Sequence, residues 1–208
     1  MRLPIQFALF VLFATSTAVH ADSVLVGTDL SHLVGSGAGL CYNSSDCEKV
    51  AEQFTLVDTV VIDQVKVAMN PYFIGYDGSY HGGNFTVNLG SAPGGGSIIG
   101  SSILSTPSTQ IFDFTGLTIT LAPGTYYLTL SGGNVAWTYA PALITAAGTV
   151  GPDSACDPTL GCSWYSAGSS PHAFEIDGTI STPEPSTWIL LATGLSSAAV
   201  SIRNKFRS

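Results

Sequence analysis

The sequence predicts an all-β body, a single antiparallel β-sandwich of jelly-roll-like type over residues 22–182. Three observations lead there. Short runs alternate apolar and polar residues, which buries one face of a strand and wets the other. Glycine and proline breaks separate several of these runs at a spacing of about ten residues, the rhythm of meandering or Greek-key strands. No segment of this body sustains apolar spacing at the helical period.

Taken in chain order, Gly27–Leu40 is rich in small residues and reads as loop. Glu48–Phe54 reads either as a short helical turn or as the lead-in to a strand. Val65, Val67 and Met69 then share one face, with Gln64 and Lys66 on the other. Asn84–Leu89 places Phe85, Val87 and Leu89 together, and Pro93–Gly96 is a longer loop. Leu117–Leu121 alternates; Ala122-Pro-Gly124 breaks it. Thr125–Leu130 aligns Tyr126, Leu128 and Leu130, and Ser131-Gly-Gly133 is the next break. Asn134–Tyr139 aligns Val135, Trp137 and Tyr139. Ala173–Asp177 sets Phe174 and Ile176 against Glu175 and Asp177.

The two ends differ from this body. Residues 1–21 carry one early cation, Arg2, an apolar run from Phe7 to Ala14, and Val19-His20-Ala21 at the close. That order predicts a secretory signal peptide cleaved after Ala21. At the other end, Ser181–Thr187 is a polar break containing Pro183-Glu184-Pro185, where the two prolines disfavour helix. An apolar helix is expected over about 188–202, followed by Arg203, Lys205 and Arg207. At about 15 residues it falls short of the roughly 20 that cross a bilayer without strain. Trp188 suits the membrane interface and the terminal cations the cytoplasmic side. A marginal, temporary anchor is the expectation.

Pro183-Glu184-Pro185, a Trp-led apolar helix with Gly194-Leu195, and a basic end interrupted by Asn204 and Phe206 together resemble the PEP-CTERM sorting domain. The resemblance covers residues 183–208. It implies recognition by an exosortase, a membrane cysteine peptidase of Gram-negative bacteria that make exopolysaccharide. It also implies removal of the tail near the tripeptide and a final place at the cell surface or in the extracellular matrix. On that reading Pro183, Glu184 and Pro185 are a recognition element in a substrate. The body resembles the β-sandwich domains found ahead of such tails, most closely in Leu121–Leu130, which reads as strand, tight turn and returning strand of a hairpin.

Charge narrows the partners. Of six basic residues only Lys49 and Lys66 lie in the body, against thirteen of the fourteen acids, a net charge of −11. Such a body has almost nothing to neutralise phosphates, which excludes nucleic acid as an expected partner and disfavours an anionic lipid surface. The expected partners are signal peptidase and exosortase during export, the membrane only through the tail, and exopolysaccharide thereafter. The four cysteines fit an oxidising compartment. Spacing leaves three pairings open; two local bridges, Cys41–Cys47 and Cys156–Cys162, are preferred because each closes a short polar loop. A zinc site is disfavoured, since five residues separate the cysteines of each pair rather than two to four.

Candidate chemistry is sparse. His32, His81 and His172 lie far apart, without Glu-x-x-His or His-x-His spacing, and Gly35-Ser-Gly37 lacks the frame of a nucleophile elbow. A Ser-His-Asp triad assembles in space, so spacing alone does not test it. Glu48, Glu52 and Glu175 are the only glutamates of the body, and Glu175 reads as a solvated strand residue. No cofactor is expected. For metals, Asp153, Asp157, Glu175 and Asp177 are calcium candidates, with residues 151–157 as a loop able to bend round an ion, set against ordinary turn aspartates. For sugars, Tyr72, Tyr76 and Tyr80 in one loop and Trp164 in another offer ring faces for stacking, set against rings that lock loops onto the sandwich. The expected function is non-enzymatic, structural or adhesive, associated with exopolysaccharide or biofilm. The alternative is a carbohydrate-binding module, and a secreted hydrolase comes third.

Overall fold

The computed structural model describes residues 23–40, 48–71, 82–157, 161–168 and 170–181. Among these residues thirteen strands follow one another: β1 (Ser23–Thr28), β2 (Val34–Gly39), β3 (Lys49–Leu56), β4 (Val60–Pro71), β5 (Gly83–Gly90), β6 (Ser97–Leu104), β7 (Gln110–Leu121), β8 (Gly124–Gly132), β9 (Val135–Tyr139), β10 (Leu143–Ile144), β11 (Gly148–Asp157), β12 (Ser163–Gly168) and β13 (Phe174–Ile180). They form two sheets packed as a sandwich, with every pairing antiparallel. The antiparallel sandwich expected from the alternating runs is therefore present.

One sheet runs β10-β1-β13-β4-β9-β2, and the other β12-β11-β3-β8-β5-β6. In the first, β4 is central: β13 pairs along one edge and β7 along the other. The strand that opens the body lies beside the one that closes it, with Ser23 opposite Gly178.

The alternating faces make the core. Val65, Val67 and Met69, Phe85 and Val87, Leu128 and Leu130, Val135 and Trp137, and Phe174 and Ile176 are all buried between the sheets. Phe54 sits between sheets, 5.8 Å from the ring of Tyr126 and 6.3 Å from that of Phe174. Burying each such ring stabilises the fold by about 1.5–3 kcal/mol relative to exposure. Where β6 meets β7 the approach is closer still: a Cβ on Gly100 would lie 2.0 Å from the ring of Phe114.

Two sequence expectations change, and one open alternative closes. Gly27–Leu40 is not loop throughout, because the end of β1 and all of β2 lie within it; β2 reads Val-Gly-Ser-Gly-Ala-Gly, too small to alternate visibly. Of the two readings of Glu48–Phe54 the strand lead-in holds, with β3 beginning at Lys49. Leu121–Leu130 is not a hairpin: β7 pairs with β4 in one sheet, whereas β8 pairs with β3 and β5 in the other. The Ala122-Pro-Gly124 turn is thus a corner between sheets, held by the Tyr126 hydroxyl, which donates to the carbonyl of Ala122 at 2.9 Å. Adjacent strands in sequence form hairpins at β5–β6 and at β11–β12.

Candidate functional site

In β3 the core face runs Val50, Glu52, Phe54, Leu56, so a carboxylate occupies a position whose neighbours two residues away are apolar and buried. Glu52 is 0% exposed. Directly opposite it on β11 stands Asp153, 3% exposed. The two acids face the other sheet, where the segment before β13 presents His172, 0% exposed. The His172 backbone N–H donates to Glu52 Oε2 at 3.0 Å, and His172 Nδ1 meets the same oxygen at 2.8 Å. Asp153 Oδ2 lies 3.9 Å from Nδ1.

The imidazole is fixed from several sides. Its ring centroid is 4.6 Å from Trp137 and 4.8 Å from Tyr139, both on β9. Trp137 Nε1 donates to the carbonyl of Ala173. The Thr28 hydroxyl donates to the carbonyls of His172 and Phe174, each at 3.2 Å, and accepts from the Phe174 N–H. Glu52 Oε1, Asp153 Oδ1 and His172 Nε2 have no hydrogen-bond partner. Burial pushes the Glu52 carboxyl up to about 8, the His172 N–H opposing and the Asp153 charge adding to it. Burial likewise holds the His172 ring down at about 4, with Asp153 pulling the other way. The cluster is a sealed polar tie between the sheets. It can hold or release a proton, but it offers no open face for a substrate.

The four calcium candidates are split. Asp153 and Asp157 lie on β11, Glu175 and Asp177 on β13 in the other sheet. Residues 151–157 belong to strand β11: after a bulge at 151–152, Asp153–Cys156 pair with both β3 and β12 and Asp157 with β12, so the segment is not a loop free to curl round an ion. Lys66 Nζ occupies the second pair of acids, 2.7 Å from Asp177 Oδ2 and 3.1 Å from Glu175 Oε2. Glu175 does point away from the core, yet its side chain is only 13% exposed. Among the described residues no group of three or more His, Cys, Asp or Glu is placed to hold a metal ion.

Trp164 lies on strand β12, not in a loop. Its ring packs on Gly94 of the β5–β6 connection, whose N–H donates to the Thr129 hydroxyl at 3.0 Å. A Cβ at Gly94 would stand 2.7 Å from the indole, and its φ of +72° is itself one that favours glycine. Trp164 therefore fastens a loop to the sheet. Cys156 and Cys162 form a disulfide, with Cα atoms 4.8 Å apart, at the end of the β11–β12 hairpin. Ala21, Cys41–Cys47, Tyr72, Tyr76, Tyr80, Pro183, Glu184, Pro185 and the 188–202 segment lie outside the described residues.

A Ser-His-Asp grouping does occur at the surface, in the β1–β2 connection. Ser31 Oγ lies 2.6 Å from Asp29 Oδ1, and His32 Nδ1 lies 2.6 Å from Asp29 Oδ2 and 2.9 Å from Ser31 Oγ. One ring nitrogen faces both partners, so no proton can be relayed through the imidazole, as a triad requires. Asp29 also accepts from the Ser31 N–H, and the group is a local turn.

The chain matches no protein-family model, no curated protein and no solved structure. The Glu52–Asp153–His172 cluster thus stands on its own geometry. Sequence reasoning reached Asp153 but gave it other partners, and it passed over Glu52 and His172. One signal was there: Glu52 breaks the apolar face Val50, Phe54, Leu56.

Proposed function

We propose that this chain is an exported surface or extracellular-matrix protein with a non-enzymatic, structural or adhesive role associated with exopolysaccharide. Signal peptidase would remove residues 1–21, and an exosortase of the PEP-CTERM system would remove the tail from about Pro183. The observation that carries the reading is the pairing of β1 with β13. With Ser23 opposite Gly178, the junctions to the leader and to the tail leave one sheet side by side. Processing at both junctions then trims two neighbouring strand ends and leaves the core intact, and before processing the body hangs from the membrane by one end. The Cys156–Cys162 bridge accords with an oxidising destination.

For the carbohydrate-binding alternative, Trp164 packs its ring on Gly94, and Tyr72, Tyr76 and Tyr80 lie outside the described residues. The test is fractionation of the producing cells. The full chain should reach the surface or medium in shortened form, whereas a chain ending at residue 182 should be exported but lost from that fraction. Identical distributions of the two would overturn the sorting role.

A further inference from the structure

We propose that Glu52, His172 and Asp153 form a proton-held latch between the two sheets, closed while Glu52 and His172 keep one titratable proton between them and weakened when the exterior turns alkaline. The argument begins with charge in a sealed place. With that proton present the pair is net neutral, whether as carboxylic acid and imidazole or as carboxylate and imidazolium, and either form makes the 2.8 Å contact. Loss of the proton leaves a bare carboxylate at 0% exposure, with the second acid, Asp153, directly across the strand pair. Gain of a second proton leaves a cation instead, and Asp153 at 3.9 Å partly offsets it. The latch is therefore asymmetric: it tolerates acid better than base.

Among the described residues the groups that face the pair are few. β11 contributes Asp153, β9 contributes Tyr139, Glu48 lies at the foot of β3, and β8 places Leu128 opposite Glu52. Among the described residues no Lys or Arg makes an ion pair with Glu52, Asp153 or His172; Lys66 is engaged by Glu175 and Asp177.

The pH window follows from the two shifts. Glu52, raised from 4.5 to about 8, contributes stability that is complete below 4.5 and lost as pH rises through about 8. His172, lowered from 6.5 to about 4, contributes stability that is complete above 6.5 and lost as pH falls toward 4. Between 4.5 and 6.5 the two slopes cancel, and from 6.5 to about 8 that of Glu52 acts alone.

The experiment is equilibrium urea unfolding of the exported protein from pH 5 to 9, alongside Glu52→Gln. The wild-type unfolding constant should be level to about pH 6.5, then rise at up to roughly tenfold per pH unit, about fifteenfold in all by pH 8. Glu52→Gln should stay level over that interval. A wild-type curve level to pH 9, or the same alkaline slope in Glu52→Gln, overturns the latch. Should Glu52→Gln fail to fold, the carbon-13 shift of the Glu52 carboxyl in the wild-type protein decides instead. A midpoint near pH 8 supports the latch, and one near 4.5 overturns it.

Discussion

Replacing Cys156 and Cys162 together by alanine should lower stability by an amount that the loop itself sets. The bridge spans a sequence separation of 6 and closes the far end of the β11–β12 hairpin. Closing a loop that short removes denatured-state entropy equivalent to about 2.2 kcal/mol at 25 °C. Cys156 is fully buried, so the alanine there forfeits some packing as well. For a body of this size a loss of about 2 kcal/mol corresponds to a fall in Tm of roughly 4–9 °C. The assay is reversible thermal and urea unfolding of the variant against the oxidised wild type, with thiol labelling of the unfolded wild-type protein. Agreement within about 0.5 kcal/mol between variant and wild type, or labelling of Cys156 and Cys162 in protein recovered from culture, would refute the reasoning. Hydrogen exchange should also rise first in β12, an edge strand held by β11 alone.

Two further substitutions test how the sheets are held. Tyr126→Phe removes the hydroxyl that donates to Ala122 across the β7–β8 corner but keeps the ring beside Phe54, so urea unfolding should report a loss of about 0.5–1.5 kcal/mol. Burial pulls the Lys66 ammonium down, but Asp177 and Glu175 outweigh it and leave it above its ordinary 10.5, so at neutral pH its contribution is fully present. Lys66→Met should then cost about 1–3 kcal/mol at pH 7, less than a fully buried pair because the lysine is 25% exposed. The difference from wild type should narrow as pH rises past 10.5 and the lysine gives up its proton; a gap of equal size at neutral and at alkaline pH would place the effect in packing instead.

The alternating runs were legible because burial on one face of a sheet is written directly into residue order. Phe85, Val87 and Leu89, or Tyr126, Leu128 and Leu130, need no partner to be recognised as a face. What alternation leaves out is which sheet a strand joins. A Pro-Gly break between two such runs looks the same whether the chain folds back on its neighbour or turns a corner into the opposite sheet, and β7 to β8 is a corner. Strands of small or exposed residues left still less trace: β2 is built of small residues, and β12 is exposed along nearly its whole length, so neither alternates. The site was half legible. Glu52 interrupts an apolar face, which a single strand reveals, but its meeting with His172 joins residues 120 positions apart and depends on the sheet order. The acids of β13 looked free in sequence because the cation between them, Lys66, comes from β4.

Intact-mass measurement of the protein recovered from culture tests the export and sorting account most directly. The account predicts a chain that starts after Ala21, ends near Pro183–Pro185 and carries no free thiol. An unprocessed product of 208 residues held inside the cell, with all four cysteines reduced, would contradict it.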